Sequence, residues 1–241
     1  FGKGLVTSTE NFGRLGSAPR HQEVLDHLAH ELMRGEWSIK RLQRLITTSA
    51  SYGMSSINEA YDPDHELPAH HPRQRLDAES LRDSLLGLSG ALDLTMGGQL
   101  LKDESGKYVN RSILGGYLEI PRRAVYMPIV RSALYDAFVA FDMADPSTPN
   151  GDRRASVVAP QALYLMNSAQ VHDAAVAVAR ALPDGNICER LNELYRKLLH
   201  RSATNAEVER AEQFLESYPK EEGWAALARV HFASNEFLYI Y

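Results

Sequence analysis

With one cysteine, Cys188, in 241 residues, the chain can form no internal disulfide framework and no paired C-x-x-C-H attachment for c-type haem. Long apolar runs are also lacking. Nothing approaches the roughly 20 residues of a membrane-crossing helix, so no span is expected. A formal net charge of −5 is too mild for an acidic tail and has the wrong sign for a phosphate-backbone binder, which argues against nucleic acid as a partner. There is no G-x-S-x-G elbow, no phosphate-cradling loop, no fixed-period repeat and no low-complexity tract. Phe1-Gly2-Lys3-Gly4 has neither the basic start nor the apolar middle of a signal peptide, and the opening at Phe leads us to expect a C-terminal fragment of a larger protein.

What is present is helical periodicity. A 44% hydrophobic content suffices for a large core, expected as one helical domain over 1–241, with 1–128 and 129–241 as the alternative division. Val24, Leu25, Leu28, Leu32 and Met33 mark a first helix capped by Gly35, and Ser38 caps a second carrying Ile39, Leu42, Leu45 and Ile46. Pro63, Pro68 and Pro72 punctuate an irregular connection. A charged helix should run from Asp77 to Leu94, closed by Gly97-Gly98, with Leu81, Leu85, Leu88 and Leu92 inward and Arg75, Glu79, Arg82 and Asp83 on a solvated face. Short strands are expected at 108–109, 117–120 and 124–127, and a buried helix over 129–141. Pro160 should open one long helix through Val178, followed by helices at 187–199, 205–218 and 223–234, with Thr204 to Glu207 as a capping box. The fold class is therefore mainly α, with long irregular loops and at most a small β element.

Each hint of chemistry has a plainer reading. His65-Glu66-Leu67-Pro68-Ala69-His70-His71 resembles a zinc-protease motif, but its second His comes five residues after the first and Pro68 would break the helix. In the cluster of His21, His27, His30 and Glu31, His27 and Glu31 stand one turn apart and could share an ion, but two ligands fall short of the about four a closed zinc site needs, and a solvated helix face is the plainer reading. Cys188 opens a helix, where the dipole could activate it, yet reads first as a packed structural thiol. Asp142 and Asp145 could serve acid–base work, though acidic residues also favour loops. Arg122-Arg123 and Arg153-Arg154 could hold an anion, or could lock loops against Glu79, Asp83 or Asp142. No residue is assigned as catalytic or metal-binding.

Several segments, in order, carry a family likeness: Phe1-Gly2-Lys3-Gly4-Leu5-Val6, Leu45-Ile46-Thr47-Thr48-Ser49-Ala50-Ser51-Tyr52, Arg75-Leu76-Asp77-Ala78-Glu79 with Arg82-Asp83, Arg122-Arg123-Ala124-Val125-Tyr126, Phe141-Asp142, Pro160-Gln161-Ala162-Leu163-Tyr164-Leu165-Met166-Asn167-Ser168 and Asn235-Glu236-Phe237-Leu238-Tyr239. Together they resemble the planctomycete-specific C-terminal domain of unknown function found behind planctomycetal cytochrome c-like modules. The resemblance implies an exported or periplasmic multidomain protein, with haem c in an upstream domain and no cofactor in this chain. It implies upstream domains of the same polypeptide as partners, with other proteins or polysaccharide as further ones. Placed on this chain, its shared polar residues give the candidate binding set Arg75, Glu79, Arg82, Asp83, Arg122, Arg123, Asp142 and Asn167. The functional expectation is a non-catalytic interaction or accessory module. The alternatives are a hydrolase or carbohydrate-active domain built on Asp142, Asp145, Glu79 and Arg122, and a metal module built on His65, His70 and His71.

Overall fold

Ser38, Asp77, Asn186 and Ser234 each open a helix by accepting a first-turn backbone N–H with the side chain. The computed structural model describes residues 1–56, 71–98, 120–148, 150–153 and 155–240, which divide into two units. One comprises Phe1–Gln74, Pro149–Asp152 and Ile240–Tyr241; the other comprises Arg75–Thr148 and Arg153–Tyr239.

In the first unit, α1 (Gln22–Arg34) and α2 (Ile39–Thr47) form the expected hairpin. Ser38 caps α2 by accepting the Arg41 N–H at 3.3 Å. Gly35 is favoured by close approach, because a Cβ there would lie 3.0 Å from both Arg41 Cδ and the Glu31 carbonyl oxygen and would push them aside. The reversal itself uses Glu36 and Trp37, at φ 53° and 62°, a left-handed pair of non-glycine residues. Elsewhere in this unit the Phe1, Tyr52 and His71 rings pack edge-on or tilted with centroids 4.9 to 6.0 Å apart.

The second unit holds α3 (Ala78–Leu88), a 3₁₀ turn (Ala124–Tyr126), α4 (Asp136–Ala140), α5 (Ala159–Asn167), α6 (Ala169–Arg180), α7 (Ile187–Leu199), α8 (Asn205–Glu216), α9 (Lys220–Phe232) and α10 (Asn235–Leu238). The fold is mainly α: among the described residues ten α-helices accompany one two-stranded pairing, β1 (Gln74–Arg75) with β2 (Tyr239–Ile240). No described helix is long and apolar enough to cross a membrane. The most extensive packing is between α6 and α9. Ala174, Ala175 and Ala228 are small enough to bring these helices close, and Val171, Val178 and Phe232 fill the space at 0% exposure. Leu81 and Leu85 of α3, and Leu191, Leu194 and Leu198 of α7, complete the core.

Four expectations are corrected. The charged helix stops at Leu88, six residues early, because Gly90 turns left-handed at φ 76° and the Ala91 and Leu92 N–H groups both bond the Leu86 carbonyl. The helix expected over 129–141 shrinks to α4. There Val130 and Ala133 form a tight bridge, and Ala133, Tyr135, Phe138 and Phe141 reach the core largely from irregular chain. The long helix after Pro160 is two helices, broken where Ser168 is extended at φ −67°, ψ 132°. The strand expected at 124–127 is the 3₁₀ turn, while 108–109 and 117–119 lie outside the described residues. The Thr204–Glu207 capping box forms as expected, and Asn186 with Glu189 makes another at the start of α7.

Candidate functional site

Helix α3 begins where Asp77 accepts the Ser80 N–H at 2.7 Å, and its charged residues reach outward to loops far along the chain. The side chains expected to form a solvated ladder do something else. Arg82 is buried at 6% exposure, where Nη1 donates to the Arg122 carbonyl at 2.7 Å and Nη2 to the Ile120 carbonyl at 2.6 Å. Burial lowers its pKa, partly opposed by Asp83, whose Oδ1 lies 3.6 Å away. Asp83 Oδ1 also accepts the Ala124 N–H at 2.7 Å, while the half-exposed Arg123 stands 3.8 Å from Oδ2. Glu79 makes a two-pronged pair with Arg153 at 2.7 and 2.8 Å, and those bonds raise the Arg153 pKa.

The hydrogen bonds of Arg122 go to backbone carbonyls. Its Nη2 donates to the carbonyls of Thr95 and Gly97, the latter at 2.7 Å, and its guanidinium lies 4.5 Å from the Tyr126 ring centroid. The Arg75 side chain is also covered, at 6% exposure. It donates to the Ser156 carbonyl, to the Phe141 carbonyl at 3.3 Å and to Asp142 Oδ2 at 2.7 Å. Asp142, at φ 60°, accepts the Ser156 N–H at 2.8 Å and the Ser156 hydroxyl at 2.7 Å. Burial would raise the Asp142 pKa, but the Ser156 and Arg75 hydrogen bonds outweigh it and hold the carboxyl below its ordinary range. Buried Gln161 donates to the same Ser156 carbonyl at 3.1 Å. Asn167 is exposed at the last turn of α5, and no hydrogen bond joins it to this set.

The remaining motifs are scattered. Asp145 accepts the Ser147 N–H at 2.8 Å in an exposed turn. His65, His70 and Arg154 lie outside the described residues, whereas His71 is buried against Phe1 and Tyr52. Glu31 faces Arg34 at 3.4 Å and Arg41 at 3.6 Å. Among the described residues no group of three or more His, Cys, Asp or Glu could hold a metal ion. Cys188 is exposed rather than packed, because it lies in the first turn of α7, before Leu191, the first core position of that helix.

Two further constellations occur in the second unit. Arg201 bonds Glu207 at 2.8 and 2.9 Å and Glu236 at 2.5 and 2.8 Å, over the Tyr195 ring at 5.1 Å. These bonds hold the Glu207 pKa down to about 2 and lower that of Glu236. The second is a cleft of about 770 Å³ on α6, α7 and α9, where the Arg190 guanidinium covers the Trp224 indole at 4.5 Å.

The family described as "PSD1: Protein of unknown function (DUF1553)" matches residues 1–215. The chain belongs to the PSD1 family. No curated protein and no solved structure is found to match it. The PSD1 span includes the whole α3 network as well as Arg180 and Arg190, while Trp224, Arg229 and Glu236 lie beyond it.

Sequence spacing could not place Arg201 in this PSD1 chain, because its two carboxylates stand 6 and 35 positions away. Glu207 did carry a local signal as the capping-box acid. The Arg201 cluster makes acid sensitivity testable. Glu207, Glu236 and Asp142 have folded pKa values below their ordinary ones, so the stability they add is present above the carboxylate range and lost as pH falls through it, toward about 2 for Glu207. His231 adds an earlier step. Burial lowers its pKa from 6.5, so below that pH the unfolded chain takes up a proton that the folded chain refuses, and stability falls as pH drops. Urea midpoints should therefore decline between pH 7.5 and 5.5 and again below pH 4.5, with His231→Gln flattening only the first decline. A midpoint constant from pH 7.5 to 5.5 in the unsubstituted chain would contradict the assignment.

Proposed function

We propose that this PSD1 chain is a non-catalytic interaction or accessory module of an exported multidomain protein. One observation carries the reading: α1 and α2 are amphipathic helices with no buried residue, leaving Val24, Met33, Trp37, Ile39 and Leu45 exposed. Helices of this pattern form stably when their apolar stripe is covered, and Trp37 at 69% exposure is the kind of aromatic anchor that dominates protein contacts. The partner is an apolar surface on an upstream domain of the same polypeptide.

The polar set supports the same reading from the other side. A hydrolase or carbohydrate-active site would need carboxylates available to substrate, whereas Glu79 is bound to Arg153, Asp142 to Arg75 and Ser156, and Asp145 to the Ser147 N–H. Glu79 fastens the Arg153 loop to α3, Asp142 ties Arg75 to the Ser156 loop, and Asp145 closes its own turn. Hydrogen exchange tests the proposal by comparing this chain alone with the same chain in its longer natural polypeptide. Amides in 22–47 should exchange more slowly in the longer protein, and iodide should quench Trp37 fluorescence less; equal exchange and equal quenching in both would overturn it.

A further inference from the structure

The cleft on α6, α7 and α9 is lined by three arginines, Arg180, Arg190 and Arg229. Several arginines elsewhere in this unit pair with carboxylates: Arg75 with Asp142, Arg153 with Glu79, and Arg201 with Glu207 and Glu236. Those of the cleft do not. Among the described side chains none of the three makes a salt bridge to a carboxylate, although Asp184 and Glu222 also line the space. The Arg229 Nη1 lies 3.4 Å from the His172 Nδ1, a neutral partner that supplies no carboxylate charge. The Arg190 guanidinium carbon lies 4.5 Å from the Trp224 ring centroid, a cation–π contact that anchors the side chain at the cleft wall.

Three guanidiniums that make no salt bridge among the described side chains, lining one cleft in a chain of net charge −5, are a local excess of donors for an anion. The volume, about 770 Å³, falls in the range of small-molecule sites and is far larger than one inorganic anion requires. We infer that this cleft binds a small organic ligand through an oxyanion group, a carboxylate, phosphate or sulfate. Arg229 and Arg180 grip the anion and Arg190 faces it from the Trp224 platform.

Citrate, inorganic phosphate, inorganic sulfate and acetate are titrated into the whole chain at low ionic strength by calorimetry, with the Trp224 emission followed in a Trp37→Phe background. Saturable one-site binding of citrate, tighter than that of acetate, is expected. The dissociation constant should rise by about tenfold or more in Arg229→Gln, with Arg229→Lys restoring only part of it, because a point charge replaces a two-pronged fork. Arg180→Gln should weaken binding less, and unchanged melting temperatures show that the variants fold. Failure of every probe to saturate by about 20 mM, a weakness beyond that of a millimolar site, would overturn the inference. So would binding that survives unchanged in the folded Arg180→Gln/Arg229→Gln double variant.

Discussion

Replacing Arg82 with alanine is expected to remove about 3–5 kcal/mol of stability, a large share of what holds a domain of this size together. The loss follows from what the guanidinium does. Its side chain is 7% exposed, and its two terminal nitrogens donate to the carbonyls of Arg122 and Ile120 at 2.7 and 2.6 Å. Truncation strands two acceptors away from water, at about 1–3 kcal/mol each, and opens a cavity beside Leu81 and Leu85 on the same helix. Asp83 also loses the cation 3.6 Å from its carboxylate. Arg82→Met separates the contributions, since it refills much of the volume but donates nothing; it should recover the cavity share alone. Arg82→Lys should recover less than half of the loss, because one ammonium cannot span both carbonyls as a planar fork does. The measurement is urea denaturation at neutral pH. A loss below about 1 kcal/mol in Arg82→Ala would mean that water reaches the two carbonyls and that the 120–124 segment does not hang on this side chain.

Arg82 also shows where sequence reading ends. Features that depend on donors and acceptors within one turn are legible: Ser38 before α2, Asp77 before α3, and the paired bonds of Thr204 and Glu207 before α8. The apolar periods of α1, α2, α7, α8 and α9 are legible for the same reason, and so is the mainly α class. Arg82 is polar, flanked by charge and sits in a mixed-sign run, so every local rule puts it in water. It is buried because two carbonyls 38 and 40 positions later need a donor. The Glu79–Arg153 pair, 74 positions apart, is one of the loop locks that the paired arginines suggested, though spacing could not choose its partner, and the Arg190–Trp224 contact is invisible to spacing altogether. Ser168 has a different cause. An apolar period continues across it, and only the extended backbone at that residue separates α5 from α6. The candidate set drawn from family likeness named real participants of the α3 network, apart from Asn167, but not whether they serve a ligand or the fold.

Asp142→Ala should be comparably severe, again about 3–5 kcal/mol, because it leaves the buried Arg75 without its counter-charge. Arg75 would still hold the Ser156 and Phe141 carbonyls, but its Nη2 faces an empty site where Oδ2 stood at 2.7 Å. Ser156 loses acceptors for both its N–H and its hydroxyl, so the loop leading into α5 is released together with the turn after Phe141. The backbone supplies a sharper test. Asp142 sits at φ 60°, a conformation that costs a β-carbon-bearing residue roughly 1–2 kcal/mol unless its side chain bonds locally. Glycine adopts it freely, so Asp142→Gly should be milder than Asp142→Ala by about 1 kcal/mol even though both delete the carboxylate. Asn tolerates the same backbone and can still accept from Ser156, but it brings no charge to Arg75; Asp142→Asn should therefore cost about 1.5–3 kcal/mol and lose the acid-dependent part of stability that Asp142 contributes. If alanine and glycine prove equally destabilising, the left-handed turn is not what positions this carboxylate. If all three variants are near neutral, the Arg75 pair is not holding the loop, and Asp142 becomes free to be considered for chemistry after all.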